Sequence, residues 1–352
     1  MKTLGDNATA IVGVPSRLGA GADRRGPRVV ALGGGTGVPV LLRGLRELMV
    51  PPASSPAGGD TRITAIITTA DDGGSSGRLR RAYGTLAPGD VRNALVALSA
   101  GDGAMAALFD FRFEGQGDVG GHSLGNLILT ALADIEGNFA GAVERAAEIL
   151  AIRGRVLPAT VDEVRLVAEF ADGARVEGES RIAGVGRPIR RVHLEPATAT
   201  ATPEALRAIA AADLVVIGPG SLYTSLIPVL LIRDLARALA HSRARVVMVV
   251  NLMTEPGETD GYTAADCLAA LWRHAPDVTV HDVLLNTTPI PARLLERYAA
   301  DGATPIRADV ERLRALGGRP LERDLLGANP KIRHDVHKLA RAVLELAEET
   351  HE

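Results

Sequence analysis

Two glycine-rich loops in this sequence combine residue types that close around anions. In Gly33-Gly34-Gly35-Thr36-Gly37, glycines let backbone amides approach an anion closely, and a helix starting behind them turns its positive end toward it. The loop lacks the lysine of a Walker sequence, and Gly33, Gly35 and Val38 leave the third glycine of the dinucleotide fingerprint missing. Gly218-Pro219-Gly220-Ser221-Leu222-Tyr223-Thr224-Ser225 repeats the logic, adding the hydroxyls of Ser221, Tyr223 and Thr224. Two such loops opening on one sheet edge suit the diphosphate of a dinucleotide or a nucleotide sugar.

Other polar segments supply side chains. Asp71-Asp72-Gly73-Gly74-Ser75-Ser76-Gly77-Arg78, with Arg80 and Arg81 behind it, joins carboxylates, hydroxyls and cations in one flexible stretch that can wrap a phosphate. Asp71 and Asp72 could equally hold a magnesium ion or hydrogen-bond a ribose or base, since hard carboxylate oxygens suit all three. In Gly89-Asp90-Val91-Arg92-Asn93, Asp90 reads as a helix N-cap, which leaves Arg92 and Asn93 unexplained. His122-Ser123-Leu124-Gly125-Asn126 opens a further helix, where His122 and Asn126 either touch a ligand or tie the helix start. Asn251, Thr254, Glu255 and Glu258 follow a later strand, with Glu258 a base or a cap for the next helix. Arg333 can reach a phosphate or pair with Asp335.

The elements that must position these loops follow from hydrophobic spacing. Residues 28–32 form an apolar run before the first glycine loop, and Val38, Leu41, Leu42 and Leu45 then recur at helical intervals. A Pro/Ser/Gly connection over 51–60 leads to a strand at 63–69, which ends in a polar loop at 70–81. Helices are expected from about His122 and over 142–151. Residues 155–196 change character: Val164, Leu166, Ala168 and Phe170 alternate, and Asp172-Gly173 is a turn signal, so a small antiparallel hairpin is inserted there. Helix 203–211, strand 214–217, a helix to about 242, strand 245–250, a helix to about 275 and strand 278–285 resume the alternation. The fold class is α/β: a Rossmann-like, mostly parallel sheet with helices on both faces, a single domain over 28–352 behind a mobile tail at 1–27. Ligands in such sheets bind beyond the carboxyl ends of the strands.

Composition narrows the function. The 352 residues are 46% apolar and only 3% aromatic, with 39 glycines, which suits close α/β packing and not an aromatic surface for sugars or single strands. Thirty-nine basic against 42 acidic residues leave a net charge of -3, with no global field toward nucleic acid or an anionic membrane. The single cysteine, Cys267, rules out an internal disulfide framework and reads as a small buried helix residue. With no secretory apolar run or membrane-length stretch, a soluble cytoplasmic protein is expected. A dimer is expected from base rates alone.

In chain order the motifs are GGGTG, TADDGGSSGRLR, GDVRN, GHSLGNL, LPAT, GESRI, GPGSLYTS, NLMTEPGET and IRHD, spread over about 29–347. Together they resemble the gluconeogenesis factor family, itself similar to the CofD-like 2-phospho-L-lactate transferases in its Rossmann-like core. Those transferases carry a Pro-Asp-x-Asp element soon after the paired aspartates; residues 73–93 here do not, which weighs against transfer chemistry. The resemblance implies instead a regulatory protein that binds UDP-N-acetylglucosamine, requires no cofactor, and serves cell shape and wall synthesis during gluconeogenic growth through cell-wall or carbon-metabolism regulators. It also implies Tyr298 and Arg333 as uridine-sugar contacts, one packing and one facing the pyrophosphate. A magnesium-dependent transferase using Asp71 and Asp72 is the alternative. Nicotinamide redox chemistry is disfavoured by the degenerate glycine spacing.

Overall fold

The computed structural model describes residues 26–49, 62–100, 103–328 and 330–349. The expected tail therefore lies outside the described residues up to position 25, as does the 51–60 connection.

Seven strands build the main sheet: β1 (Val29–Gly33), β2 (Ile63–Ile67), β3 (Arg155–Pro158), β7 (Leu214–Ile217), β8 (Arg245–Val249), β9 (Asp282–Asn286) and β10 (Arg319–Arg323). Their order is β10-β9-β8-β7-β1-β2-β3 and every pairing is parallel. Alternation along the strands divides the core into two layers. Val30, Leu32, Val215, Ile217, Val246 and Met248 face one layer, and Val29, Ala31, Leu214, Val216, Val247 and Val249 face the other. Both faces are covered, so the strands read as unbroken aliphatic runs.

The remaining strands, β4 (Arg165–Phe170), β5 (Arg175–Glu177) and β6 (Ile189–Glu195), form a separate antiparallel sheet ordered β5-β4-β6. The expected hairpin is thus three-stranded, and residues 155–158 belong to the main sheet. The segment expected as a polar loop at 70–81 is helical over Gly74–Tyr83. Gly77 permits it, since a Cβ there would overlap the Asp72 carbonyl oxygen. The helix expected after Ser221 is broken into a π turn, Leu222–Leu226, and helices Ile227–Leu230 and Arg233–Ala240. The strand expected at 278–285 starts later, at Asp282.

Strand order reverses between β1 and β7, whose register pairs Val29 with Leu214 and Leu32 with Ile217. The two glycine loops leave these adjacent strands at the same level, where open α/β sheets leave a crevice. Helix Gly37–Met49 packs its Val38, Leu41, Leu42 and Leu45 into the same layer as Leu339, Val343 and Leu346 of the final helix, Val336–Glu348. Gly44 allows that contact, because a Cβ there would overlap the Val336 carbonyl oxygen. The close approach holds the segment just before the final helix, Arg333 included, over the carboxyl edge. No helix among the described residues is long and apolar enough to cross a membrane.

Candidate functional site

At the switch point lies a cavity of about 370 Å³. Its walls come from five stretches of chain: Thr36 and Gly37, Pro219 to Ser221, Asn251 to Pro256, Tyr298 to Ala303, and Ile332 to His334. The glycine loops touch directly: a Cβ on Gly37 would overlap the Pro219 carbonyl oxygen. Gly33 and Gly35 adopt φ of 147° and 64°, and Gly218 and Gly220 adopt 86° and 155°, a backbone region that side-chain-bearing residues rarely adopt.

Asn251 clasps the second loop at two points. Its Oδ1 accepts from the Gly220 N–H at 3.1 Å and its Nδ2 donates to the Gly220 carbonyl at 2.9 Å. The Ser221 hydroxyl donates to Glu255 Oε1 at 2.9 Å. Tyr298 is half-buried, and its hydroxyl accepts from the Ile332 N–H at 3.1 Å, tying one wall to the Arg333 segment. Arg333 is exposed on the rim and makes no ion pair with Asp335, which instead accepts from the His337 and Lys338 N–H groups as cap of the final helix.

Two residues of the lining hold buried polar atoms with no hydrogen-bond partner, Glu255 at Oε2 and His334 at Nε2. Burial pushes His334 down to about 4, so its ring is neutral at physiological pH. Buried orphans of this kind cost about 1–3 kcal/mol each, and a ligand that satisfied them would recover that energy. Sequence reading weighed Glu255 only as an edge residue and missed His334 and Asp301, whose only signal was nearness to Arg333 and Tyr298.

The other expected site residues lie outside this cavity's lining. Asp71 accepts from the Gly73 N–H at 2.7 Å and shares a hydrogen bond with Glu179, while Asp72 turns to the Ser180 N–H at 2.9 Å. The adjacent aspartates thus face different partners, and among the described residues no group of three or more His, Cys, Asp or Glu side chains is arranged to hold a metal ion. A magnesium ion shared by the pair does not fit this arrangement. Ser75 bonds His122 Nδ1 at 3.0 Å and accepts from Asn126 at 3.1 Å; Ser76 is buried against Gly89. Arg78 donates to the Gly120 carbonyl at 2.8 Å, and Asn93 donates to the Gly35 carbonyl at 3.3 Å. These side chains brace the loops.

Asp90 is not a helix cap: the helix Gly89–Leu98 starts after Pro88, with no side-chain cap. Its carboxyl instead packs against Gly34, where a Cβ would overlap it, and accepts from the Gly35 backbone. Burial and the Asp71 charge push Asp90 up to about 7. Burial together with Asp71 and Asp90 pushes Glu179 up to about 10. Glu258 does not cap the following helix, which Thr263 and Asp266 cap reciprocally. It accepts from the Thr224 hydroxyl at 3.2 Å, and burial beside Glu255 pushes it up to about 8. Tyr223 is fully buried and bonds the Tyr262 hydroxyl at 2.7 Å, so it serves the core beneath the second loop. Cys267 is buried, as expected.

A doubly wound α/β protein with a ligand-sized cavity at its topological switch point is the class that this fold and site define. The chain belongs to the family described as 2-phospho-L-lactate transferase CofD, whose profile matches residues 29–326. It is 43% identical over 324 residues to the gluconeogenesis factor of Bacillus subtilis, covering 92% of this chain and 99% of that one. It is 44% identical over 318 residues to the gluconeogenesis factor of Halalkalibacterium halodurans, covering 90% and 95%. A crystal structure of a Bacillus halodurans protein of the UPF0052 family superposes with a TM-score of 0.85 at 43% identity, covering 91% of this chain and 99% of that one.

Proposed function

We propose that this protein is a regulatory factor that binds a nucleotide sugar, UDP-N-acetylglucosamine, intact in the switch-point cavity. The observation that carries the reading is the convergence of Thr36, Gly37, Gly220, Ser221, Asn251, Tyr298 and Arg333 on one cavity of about 370 Å³, within the range of small-molecule sites. The paired glycine loops supply backbone donors for the diphosphate. Arg333 approaches the same charge from the rim, and the sugar or base hydrogen-bonds Glu255 and His334. Similarity to gluconeogenesis factors extends the reading to cell shape and wall synthesis on gluconeogenic carbon, through a protein that reads the liganded state. No turnover is needed.

Calorimetric titration of UDP-N-acetylglucosamine into wild type and Arg333→Ala, with and without magnesium, tests this, with chromatography of the recovered ligand and light scattering for subunit count. Saturable binding of unchanged ligand, weakened in the variant, is expected. Absence of saturable binding would refute the reading.

A second reading, transfer of a phospho or nucleotidyl-linked group, is favoured by the family's description and by the cluster of Asp71, Asp90 and Glu179 carboxyls, whose Asp90 packs on Gly34 of the first glycine loop. Magnesium-dependent breakdown of the ligand in the same titration would decide for it.

A further inference from the structure

A second cavity, of about 380 Å³, lies away from the switch point, between β6 and helix Arg233–Ala240. Its wall carries Arg191, Arg233 and Arg237 against one carboxylate, Asp277. Among the described residues none of the three arginines makes an ion pair. Arg233 and Arg237 stand four apart on one helix, so their like charges repel unless an anion lies between them. Glu169, opposite Arg191 across the antiparallel sheet, is held by Arg175 and Arg190, and Glu195 by Arg175 and His193. Leu194 and Leu230, both buried, line the same cavity beneath the guanidinium groups.

Three uncompensated guanidinium groups around a small concavity with an apolar floor form a receptor for a compact anion. Guanidinium forks grip phosphate oxygens in pairs, a geometry that ammonium groups lack. We propose that this cavity is a second binding site, for a small phosphate-bearing ligand, separate from the nucleotide-sugar cavity.

The site also reaches the core beneath the second glycine loop. His274 lines it, accepts from the Val192 N–H at 2.9 Å, and donates from Nδ1 to the Ala270 carbonyl at 2.7 Å. The same ring packs edge-on against Tyr223, with centroids 5.8 Å apart. Tyr223 belongs to the π turn behind Ser221, so an anion at Arg191, Arg233 and Arg237 sits one side chain away from the second glycine loop.

The probe is inorganic pyrophosphate, titrated calorimetrically at fixed ionic strength into the full chain carrying Arg333→Ala, which weakens the first cavity. Arg233→Gln/Arg237→Gln is combined with it, and Arg314→Gln, an exposed arginine outside the lining of both cavities, is the control. Saturable binding, weakened at least tenfold by the double substitution and unchanged by the control, is the expected result. Binding unaffected by the double substitution would overturn the proposal, as would absence of saturable binding. Circular dichroism of each variant confirms that the fold is intact, and Arg233→Lys/Arg237→Lys gives a second test, since it keeps the charge but should still weaken a fork-held phosphate.

Discussion

Gly37 and Pro219, 182 positions apart in the chain, meet backbone to backbone at the floor of the switch-point cavity, with no room for a single methyl group between them. The contact fixes the spacing of the two glycine loops, and so the width of the slot between them.

Gly37→Ala tests that spacing. Alanine favours the helix that starts here, so a purely local view expects a gain of about 0.5–1 kcal/mol. Overlap with the Pro219 carbonyl should outweigh it, costing about 1–3 kcal/mol in urea melts and weakening nucleotide-sugar affinity at least tenfold. A more stable variant with intact binding would mean the loops are free to part.

Arg333 and Tyr298 should separate by readout. Arg333→Ala removes an exposed cation, so it should lower affinity by roughly 10–100-fold, the worth of a charge-assisted bond to phosphate, without moving the melting temperature. Tyr298→Phe deletes the acceptor of the Ile332 N–H. It should cost about 1 kcal/mol of stability and lower affinity indirectly, by loosening the Arg333 segment.

The carboxyl cluster predicts alkaline sensitivity. Asp90 is held up to about 7 and Glu258 up to about 8, both above their unfolded values, so each contributes stability that is complete below about pH 4 and is lost as pH rises through the folded value. Between pH 6.5 and 8.5 the melting temperature should therefore fall. Asp90→Asn, which keeps an acceptor for the Gly35 backbone, should make the fall shallower. A flat wild-type profile in this window would show that the carboxyls are ionised and solvated.

His274 predicts the opposite trend in acid. Burial lowers it from 6.5 to about 4, so its neutral form contributes stability above pH 6.5 that is lost as pH falls through 4. His274→Gln keeps an acceptor for the Val192 N–H but does not titrate. The stability difference between wild type and variant should shrink by roughly 3 kcal/mol between pH 6.5 and pH 4 in denaturant melts. A constant difference would mean that the ring is solvated in the folded state.

Asp282, 1% exposed, is held by Arg245 at 2.5 Å and Arg319 at 2.6 Å at the amino end of the sheet, outside the lining of either cavity. Asp282→Ala should cost about 1–3 kcal/mol by removing the buried acceptor that Arg245 and Arg319 share, Arg245 keeping Glu349 and the Leu346 carbonyl, while leaving ligand affinity per folded molecule unchanged.

The parallel sheet and both glycine loops were legible because their requirements are local: aliphatic runs for strands covered on both faces, and glycine where φ is positive. The helix Gly74–Tyr83 was not, because Gly74, Ser75, Ser76 and Gly77 are poor helix formers and only packing onto Asp72 explains the helix. β10 was missed because Arg319-Pro320-Leu321-Glu322-Arg323 is an edge strand with a proline and no apolar run. Asp90 was misread because capping gave a sufficient local account, and its contact with Gly34 exists only in three dimensions. Tyr298 carried no local signal either, and only the family resemblance named it; the residues around Arg333 left it open between a phosphate and Asp335, and it lines the cavity without pairing with Asp335.

The cavity wall draws on positions 36, 220, 251, 298 and 333, so no short piece of the chain contains it. A nascent or proteolysed molecule lacking the final helix would retain both glycine loops yet lose the segment that presents Arg333. In the sensor proposed above, ligand occupancy would therefore certify a finished molecule: only a fully assembled chain would report on its ligand, and bound ligand would add stability in proportion to the logarithm of its concentration over Kd. A shortage would make the protein both silent and easier to degrade, so abundance and signal would fall together.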